Sequence, residues 1–415
     1  MIATLRDAGR WLVNPYGLLD ERLQREGLTF RLRLPILGDV LVTGERALIA
    51  QIAQHPELDA GSAVTPALAA ILGTRSLIML AGEAHAARHR LIAPLFRGAA
   101  LTAYDELTAR ITRAELERLP RGPEFAMAVV LRRIGLQVIV AAMFGDGAVA
   151  AEAAEYVERF LDSFRNPLFL FARPLQVNFG RWSPWGRALA NRRDLCDFIR
   201  REIRVRRERP GGSAILGRLM AAAGDALTDD DIIEEVLSLL LFGHDTPAAT
   251  AAWAFAHIYS NANIVERLRE ETTGAPDSEF LRACLQESMR LCPVVVHLTR
   301  CATADVTLGA HTIQRGKKVL PCTYLAQHDA ATFPDPYTFR PERFLNGQRY
   351  EDAYFPFGIG RRTCVGMPLA LRQMQLTIAE TLRTADLELA PGYVPTPARQ
   401  LVLIVPRAGT PMRKR

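Results

Sequence analysis

Lysine is almost missing from this sequence. The 415 residues include only Lys317, Lys318 and Lys414, so nearly all of the 51 basic residues are arginine. Against 45 acidic residues the formal charge is +6. The basic residues are interspersed with acidic ones, which argues against nucleic acid and leaves an acidic protein partner or an anionic cofactor. The six cysteines, Cys196, Cys284, Cys292, Cys301, Cys322 and Cys364, form no CxxC pair. A disulfide framework is therefore not expected, and a reducing compartment is. Long apolar runs are missing too. The best, residues 126–145, is broken by Arg132 and Arg133, so no membrane span is expected. The opening MIATLRDAGRWLVNPYG lacks a signal-peptide core and cleavage site. These absences predict a soluble, intracellular protein; a cytoplasmic monomer is expected.

What is present is ordinary globular material. Hydrophobic residues make up 49% and charged residues 23%, which excludes collagen-like, disordered and coiled-coil chains. Residues 30–34 and 40–43, joined by 35–39, read as a β-hairpin. Helical periodicity then dominates, over 45–55, 85–96, 103–119, 126–144, 151–164 and 187–207. It continues over 228–260, 264–272, 278–291 and 369–384, with strand signals at 301–320 and 401–405. The Pro/Gly stretch 209–213 reads as a surface loop, and no internal repeat is present. The expected fold is mainly α with small β-sheets, in a single domain, 1–415.

The densest signal is FPFGIGRRTCVGMPLA, residues 355–370, where Cys364 sits among glycines and arginines just before a helix. Gly358, Gly360 and Gly366 permit backbone shapes and close approaches closed to other residues. Pro368 suits a first helical turn. A helix N-terminus, with Arg361 and Arg362 beside it, is expected to lower the thiol pKa. Local chemistry leaves two readings open: a buried cysteine in a Gly-rich turn, or a reactive or metal-bound thiolate.

The spacing Phe357-x-x-Gly360-x-Arg362-x-Cys364-x-Gly366 resembles the haem-binding loop of the cytochrome P-450 family. The resemblance implies that Cys364 is the axial thiolate of haem b, which pushes electron density onto the iron. It also implies that Phe357 shields the sulfur and Arg362 meets a haem propionate.

Three further landmarks follow the family's order. Glu287 and Arg290 share one helix face at i, i+3; alone they read as an exposed ion pair. With Arg343 in the downstream FRPERF they resemble the family's buried structural network. Within the long helix, Pro247 deprives the Gly243 carbonyl of its partner, and Thr246 can bond back to the Phe242 carbonyl. A local kink is expected there. By resemblance, Asp245 and Thr246 are the acid–alcohol pair that handles protons, and Gly243 makes room for dioxygen. Phe242 departs from the family's Ala or Gly; it either narrows the pocket or turns aside. In the third landmark, GEAHAARHRLIAPLF, His85 and His89 share a helix face but lack the glutamate of a zinc HExxH motif. The resemblance makes His85, His89 and Arg300 propionate ligands, with Arg90 about 140° away from His85 and facing solvent.

The implied protein is a monooxygenase of the soluble bacterial type. It takes electrons from a ferredoxin and its reductase, and inserts one atom of dioxygen into an apolar terpenoid, fatty acid or polyketide-like molecule. Peroxide-driven or rearrangement chemistry, or a non-catalytic haem sensor, remain as alternatives. By family position the pocket draws on 60–79, 166–179, 239–246, 294–298 and the turn near Gln400. Leu239, Phe242, Val294, Val295 and Leu298 are candidate substrate contacts. His297 and Arg399 read either as polar contacts there or as surface positions. Arg88, Arg90, Arg97, Arg361 and Arg372 are expected to form a face that steers an acidic electron donor.

Overall fold

The computed structural model describes residues 2–34, 37–59, 66–102, 104–163, 176–209, 211–273 and 277–415. It is 59% helical with small sheets. The central element is the helix Asp229–Tyr259, within a residue of the expected span at each end. Thr228 starts it: its hydroxyl accepts from the Asp231 amide at 3.2 Å, and the Asp231 carboxylate accepts from the Thr228 amide at 2.9 Å. Three aspartates in the first turn complement the helix dipole. Further along, the helix is apolar on nearly every side, so it must be enclosed.

The helix Met127–Phe144 packs along it. Among the described residues this is the one helix long and apolar enough to cross a membrane, but 72% of that window is buried within the protein, which makes it a core helix. At Gly135 a Cβ would lie 3.1 Å from the His244 carbonyl, so glycine lets the two backbones meet.

Pro247 lies inside the central helix, which is helical on both sides of it. Thr246 does not bond back to Phe242; instead the Thr250 hydroxyl donates to the Thr246 carbonyl at 2.9 Å.

Two N-terminal helices, Ile2–Val13 and Pro15–Glu26, had no counterpart in the periodicity reading. Their junction carries a local signal: Asn14 caps the second helix by accepting from the Gly17 amide at 3.1 Å, and Pro15 follows at the first helical position. The expected hairpin is present as Thr29–Leu34 and Gly38–Thr43, with Phe30, Leu32 and Leu34 inward and Arg31 and Arg33 outward. Its second strand pairs in parallel with Lys318–Pro321, and Arg300–Ala302 and Leu58–Asp59 complete a five-stranded sheet. Near the C-terminus the expected strand is a hairpin, Pro397–Gln400 with Leu403–Pro406. Leu401, at φ 56°, is its turn; a leucine there gives no turn signal.

Behind the sheet, Glu287 is fully buried. Its carboxylate accepts two bonds from Arg290, at 2.7 and 2.9 Å, one from Arg343 at 3.2 Å and one from the Arg340 amide at 2.9 Å. Arg290 also donates to the carbonyls of Gln327 and Pro336, both at 2.8 Å. The pair is therefore not an exposed one. Removing one member leaves an uncompensated buried charge. Glu287→Gln should lower unfolding free energy by about 3–5 kcal/mol, read as a shifted urea midpoint with unchanged slope. A shift like that of a surface ion pair would contradict the burial.

Candidate functional site

The loop before the helix Met367–Thr384 is shaped by its glycines. Gly358 takes φ +86° and Gly360 φ +59°; a Cβ on Gly360 would sit 2.4 Å from the Ala53 carbonyl. The Cys364 amide donates to the Phe357 carbonyl at 2.8 Å and closes the loop. Phe357 lies half-buried against the core.

Cys364 is exposed, yet burial pushes its thiol above the ordinary value, against the pull of the Gly366 and Met367 amides. The expectation of a lowered pKa is thus not met. Its two arginines are engaged elsewhere: Arg362 donates to Asp59 at 2.5 Å and to the Leu80 carbonyl at 2.7 Å, and Arg361 turns outward.

A cationic cluster gathers around Arg362. Burial, then Arg362 and His89, push His85 down to about 4; Arg300 adds to this and Asp59 opposes it. The His85 and His89 rings are 5.9 Å apart. Burial and Arg362 push Arg300 down to about 10. Arg300 is 5% exposed, and its only hydrogen bond among the described residues goes to the Thr299 carbonyl, at 3.1 Å. Four residues named from sequence, His85, His89, Arg300 and Arg362, are thus brought together around one carboxylate, Asp59, which the sequence did not flag. Arg90 faces solvent as expected and pairs with Glu83.

On the central helix, Asp245 accepts from Arg132 Nε at 2.8 Å, a partner on the helix Met127–Phe144. His244 Nδ1 lies 3.0 Å from the Leu240 carbonyl, so it carries the proton there; its Nε2 is 3.6 Å from the Asp245 carboxylate. A Cβ at Gly243 would point at Ile139, 3.2 Å away, so helix packing alone already favours glycine unless Ile139 shifts. Phe242 is 38% exposed, so its ring is not drawn into the core. Of the candidate substrate contacts, Leu239 packs against the core, Val294 is buried, and Val295 and Leu298 are half-buried. The pocket segments 60–65 and 166–175 lie outside the described residues.

Arg88 was expected on a docking face and is instead buried. It donates to Glu235 at 3.1 Å and to the Arg75 carbonyl at 2.9 Å, and lies 3.5 Å from Asp231. Arg372 is likewise engaged, by two bonds to Asp105 at 2.9 and 2.6 Å. Arg97 and Arg361 remain exposed. The Arg88 contact belongs to a strap: the Arg75 amide donates to Glu234 at 2.7 Å, the Leu77 amide to Glu235 at 2.9 Å, and Ser76 and Ser238 share a bond at 2.9 Å. Charges this far apart in sequence have no periodicity to betray them.

The sequence matches the family model described as Cytochrome P450 over residues 29–410. It is similar to cytochrome P450 137 of Mycobacterium tuberculosis, 29% identical over 408 residues that span 95% of this chain and 84% of that protein. It is equally similar to cytochrome P450 138 of Mycobacterium bovis, 29% identical over 385 residues, 91% of this chain and 87% of that one. Among solved structures, the cyanobacterial CYP120A1 with retinoic acid bound superposes with a TM-score of 0.83 at 23% identity, over 99% of this chain and 96% of that one. The heme domain of cytochrome P450DA gives 0.83 at 19% identity, over 97% and 92%.

Burial pushes the Glu235 carboxyl up from 4.5 to about 7, against the Leu77 amide and Arg88. The folded chain therefore holds this proton more tightly than the unfolded chain. The stability it contributes is full below about 4.5 and is lost as pH rises towards about 7. Glu235→Gln removes that dependence. Urea midpoints at pH 5 and pH 8 should show wild type losing roughly 2–3 kcal/mol relative to the variant. Parallel pH profiles would contradict the assignment.

Proposed function

The chain belongs to the cytochrome P450 family and is a cytochrome P450 monooxygenase, and on that premise we propose that Cys364 is the thiolate ligand of a haem b at which an apolar small molecule is oxygenated. The observation that carries this reading is the pairing of an exposed thiol with a cationic cluster holding more guanidinium and imidazole than carboxylate. Such a cluster suits the two propionates of haem. Arg300 would hold one, because its only side-chain hydrogen bond among the described residues goes to the Thr299 carbonyl. Arg362 and His85 would share the other with His89 at the edge, and Phe357 would cover the sulfur from the core side.

When bound, the haem supplies activation of dioxygen, with one oxygen atom going to the substrate and the other to water. The protein groups arrange protons around that chemistry. Thr246 Oγ1 holds a proton on the helix face, and Asp245 resupplies it by taking up a proton from water and passing it on. Arg132 keeps that carboxylate against the neighbouring helix, so transfer to Thr246 requires a water or a momentary opening of the ion pair. Phe242, with Val295 and Leu298, gives the substrate an apolar wall. Electrons come from a redox partner, in this reading an acidic ferredoxin. Arg97 and Arg361 are the exposed charges that would steer it.

The reduced carbon monoxide complex should absorb at the long wavelength diagnostic of thiolate ligation, and Cys364→His should move the band to shorter wavelength. An unmoved band would point to another ligand. Thr246→Ala should keep haem and ligand spectra while product per NADPH falls at least about tenfold, since a general acid contributes about 10²–10⁴-fold and water replaces part of it. Full coupling in that variant would remove Thr246 from the proton route.

A further inference from the structure

Nearly every deeply placed guanidinium here is answered by an acid or by the cationic cluster. Arg290 and Arg343 meet Glu287, and Arg88 meets Glu235. Arg399 is different. It lies on the strand Pro397–Gln400, its Nε is buried without a hydrogen-bond partner, and no ion pair engages it among the described residues. Every aspartate and glutamate of the chain falls within the described residues, so no acid outside them answers it. Its guanidinium stands over the Trp11 ring, 5.7 Å from the centroid. That contact is worth about 0.5–2 kcal/mol and satisfies none of the five N–H donors.

A second orphan lies alongside. His297 stacks on the same indole at 5.2 Å between centroids, and its Nδ1 is buried with no partner. Burial, then the charge of Arg399, push this imidazole down to about 4, against a backbone hydrogen bond with Leu298. At neutral pH it is therefore neutral, with one N–H that a ligand would have to draw from Leu298.

The place of the pair narrows what it can meet. The Arg399 hairpin is fixed to the segment after the helix Glu279–Leu291, because the Ile404 amide donates to the Val294 carbonyl at 2.9 Å. His297 follows Val295 on that segment and precedes Arg300 by three residues, about 10 Å of extended chain. This segment thus joins the Arg399 and His297 pair to Val295 and Leu298, the apolar wall proposed above, and to Arg300 of the cationic cluster.

From these observations we propose that Arg399 and His297 anchor the carboxylate of an apolar acid, which lies along this wall with its hydrocarbon toward Cys364. A carboxylate offers two oxygens to a guanidinium fork and a further acceptor position to the imidazole N–H. An alcohol or ester of the same shape leaves the charge of Arg399 unanswered. The assignment rests on the substrate wall proposed above and names the class of substrate that wall would take.

The test uses the intact protein and calorimetric titration with octanoate, dodecanoate, hexadecanoate and abietate, each against its methyl ester. At least one acid should bind roughly ten- to hundredfold tighter than its ester. Arg399→Leu should erase that ratio while leaving the melting temperature unchanged or raised, since it removes an unpaired buried charge. His297→Phe, which keeps the stack on Trp11, should reduce the ratio several-fold. If no acid outbinds its ester, or if Arg399→Leu keeps the ratio, the anchor is overturned. A leucine variant that fails to fold, together with an unreduced ratio in His297→Phe, assigns the pair to packing and overturns it equally. The reduced carbon monoxide spectrum separates this from the haem reading: a thiolate-type band with no acid preference sinks the anchor alone.

Discussion

The carboxylate of Glu287 joins stretches of chain that lie far apart in sequence. It holds Arg290 on its own helix, and Arg340 and Arg343 some fifty residues later. Arg290 in turn gathers the carbonyls of Gln327 and Pro336. These residues precede the segment that leads into the cysteine loop, so the position of Cys364 rests on a charge kept out of water. Desolvating that charge is tolerable only because four donors replace its hydration. The arrangement favours one geometry over its neighbours, since a partly satisfied network would cost more than none.

A like constraint acts on the opposite side of the site. The central helix and Met127–Phe144 approach closely at Gly135 and at Gly243. That contact places Arg132 against Asp245. Helix packing therefore decides where the acidic side chain can reach, and glycine at Gly243 is explained without reference to a ligand.

Much of the fold was legible because periodicity follows directly from burial on one face. The helices Asp229–Tyr259 and Glu279–Leu291 fall within a residue of their expected ends, fixed by Thr228 and Ser278 as caps. The two N-terminal helices were missed: the second has a weak apolar stripe and its start signal lies in the Asn14-Pro15 junction, while the first is amphipathic and was overlooked. Leu401 was misread as strand because nothing in a leucine marks a positive φ. At the site, the cysteine loop, His85, Arg300 and the Glu287 network could be named from motif spacing. Asp59, Arg132 and Glu235 could not, and Arg399 could be named only as a polar contact or a surface position. Their meaning lies in which distant charge each one faces, or fails to face, and a one-dimensional pattern does not carry that. The same blindness explains why Arg88 and Arg372 were placed on an open surface, when each has an acid partner.

The strap at residues 73–77 has a mechanical consequence. Arg75, Ser76 and Leu77 are each bonded to the central helix, and Arg88 adds a tie from the helix that carries His85. Gly73 sits so close under Glu234 that any side chain would collide with its carboxylate. Three pieces of chain therefore translate as one rigid body. This segment cannot swing away from the central helix unless those bonds break together, so any rearrangement of the chain near it has to begin outside residues 73–77.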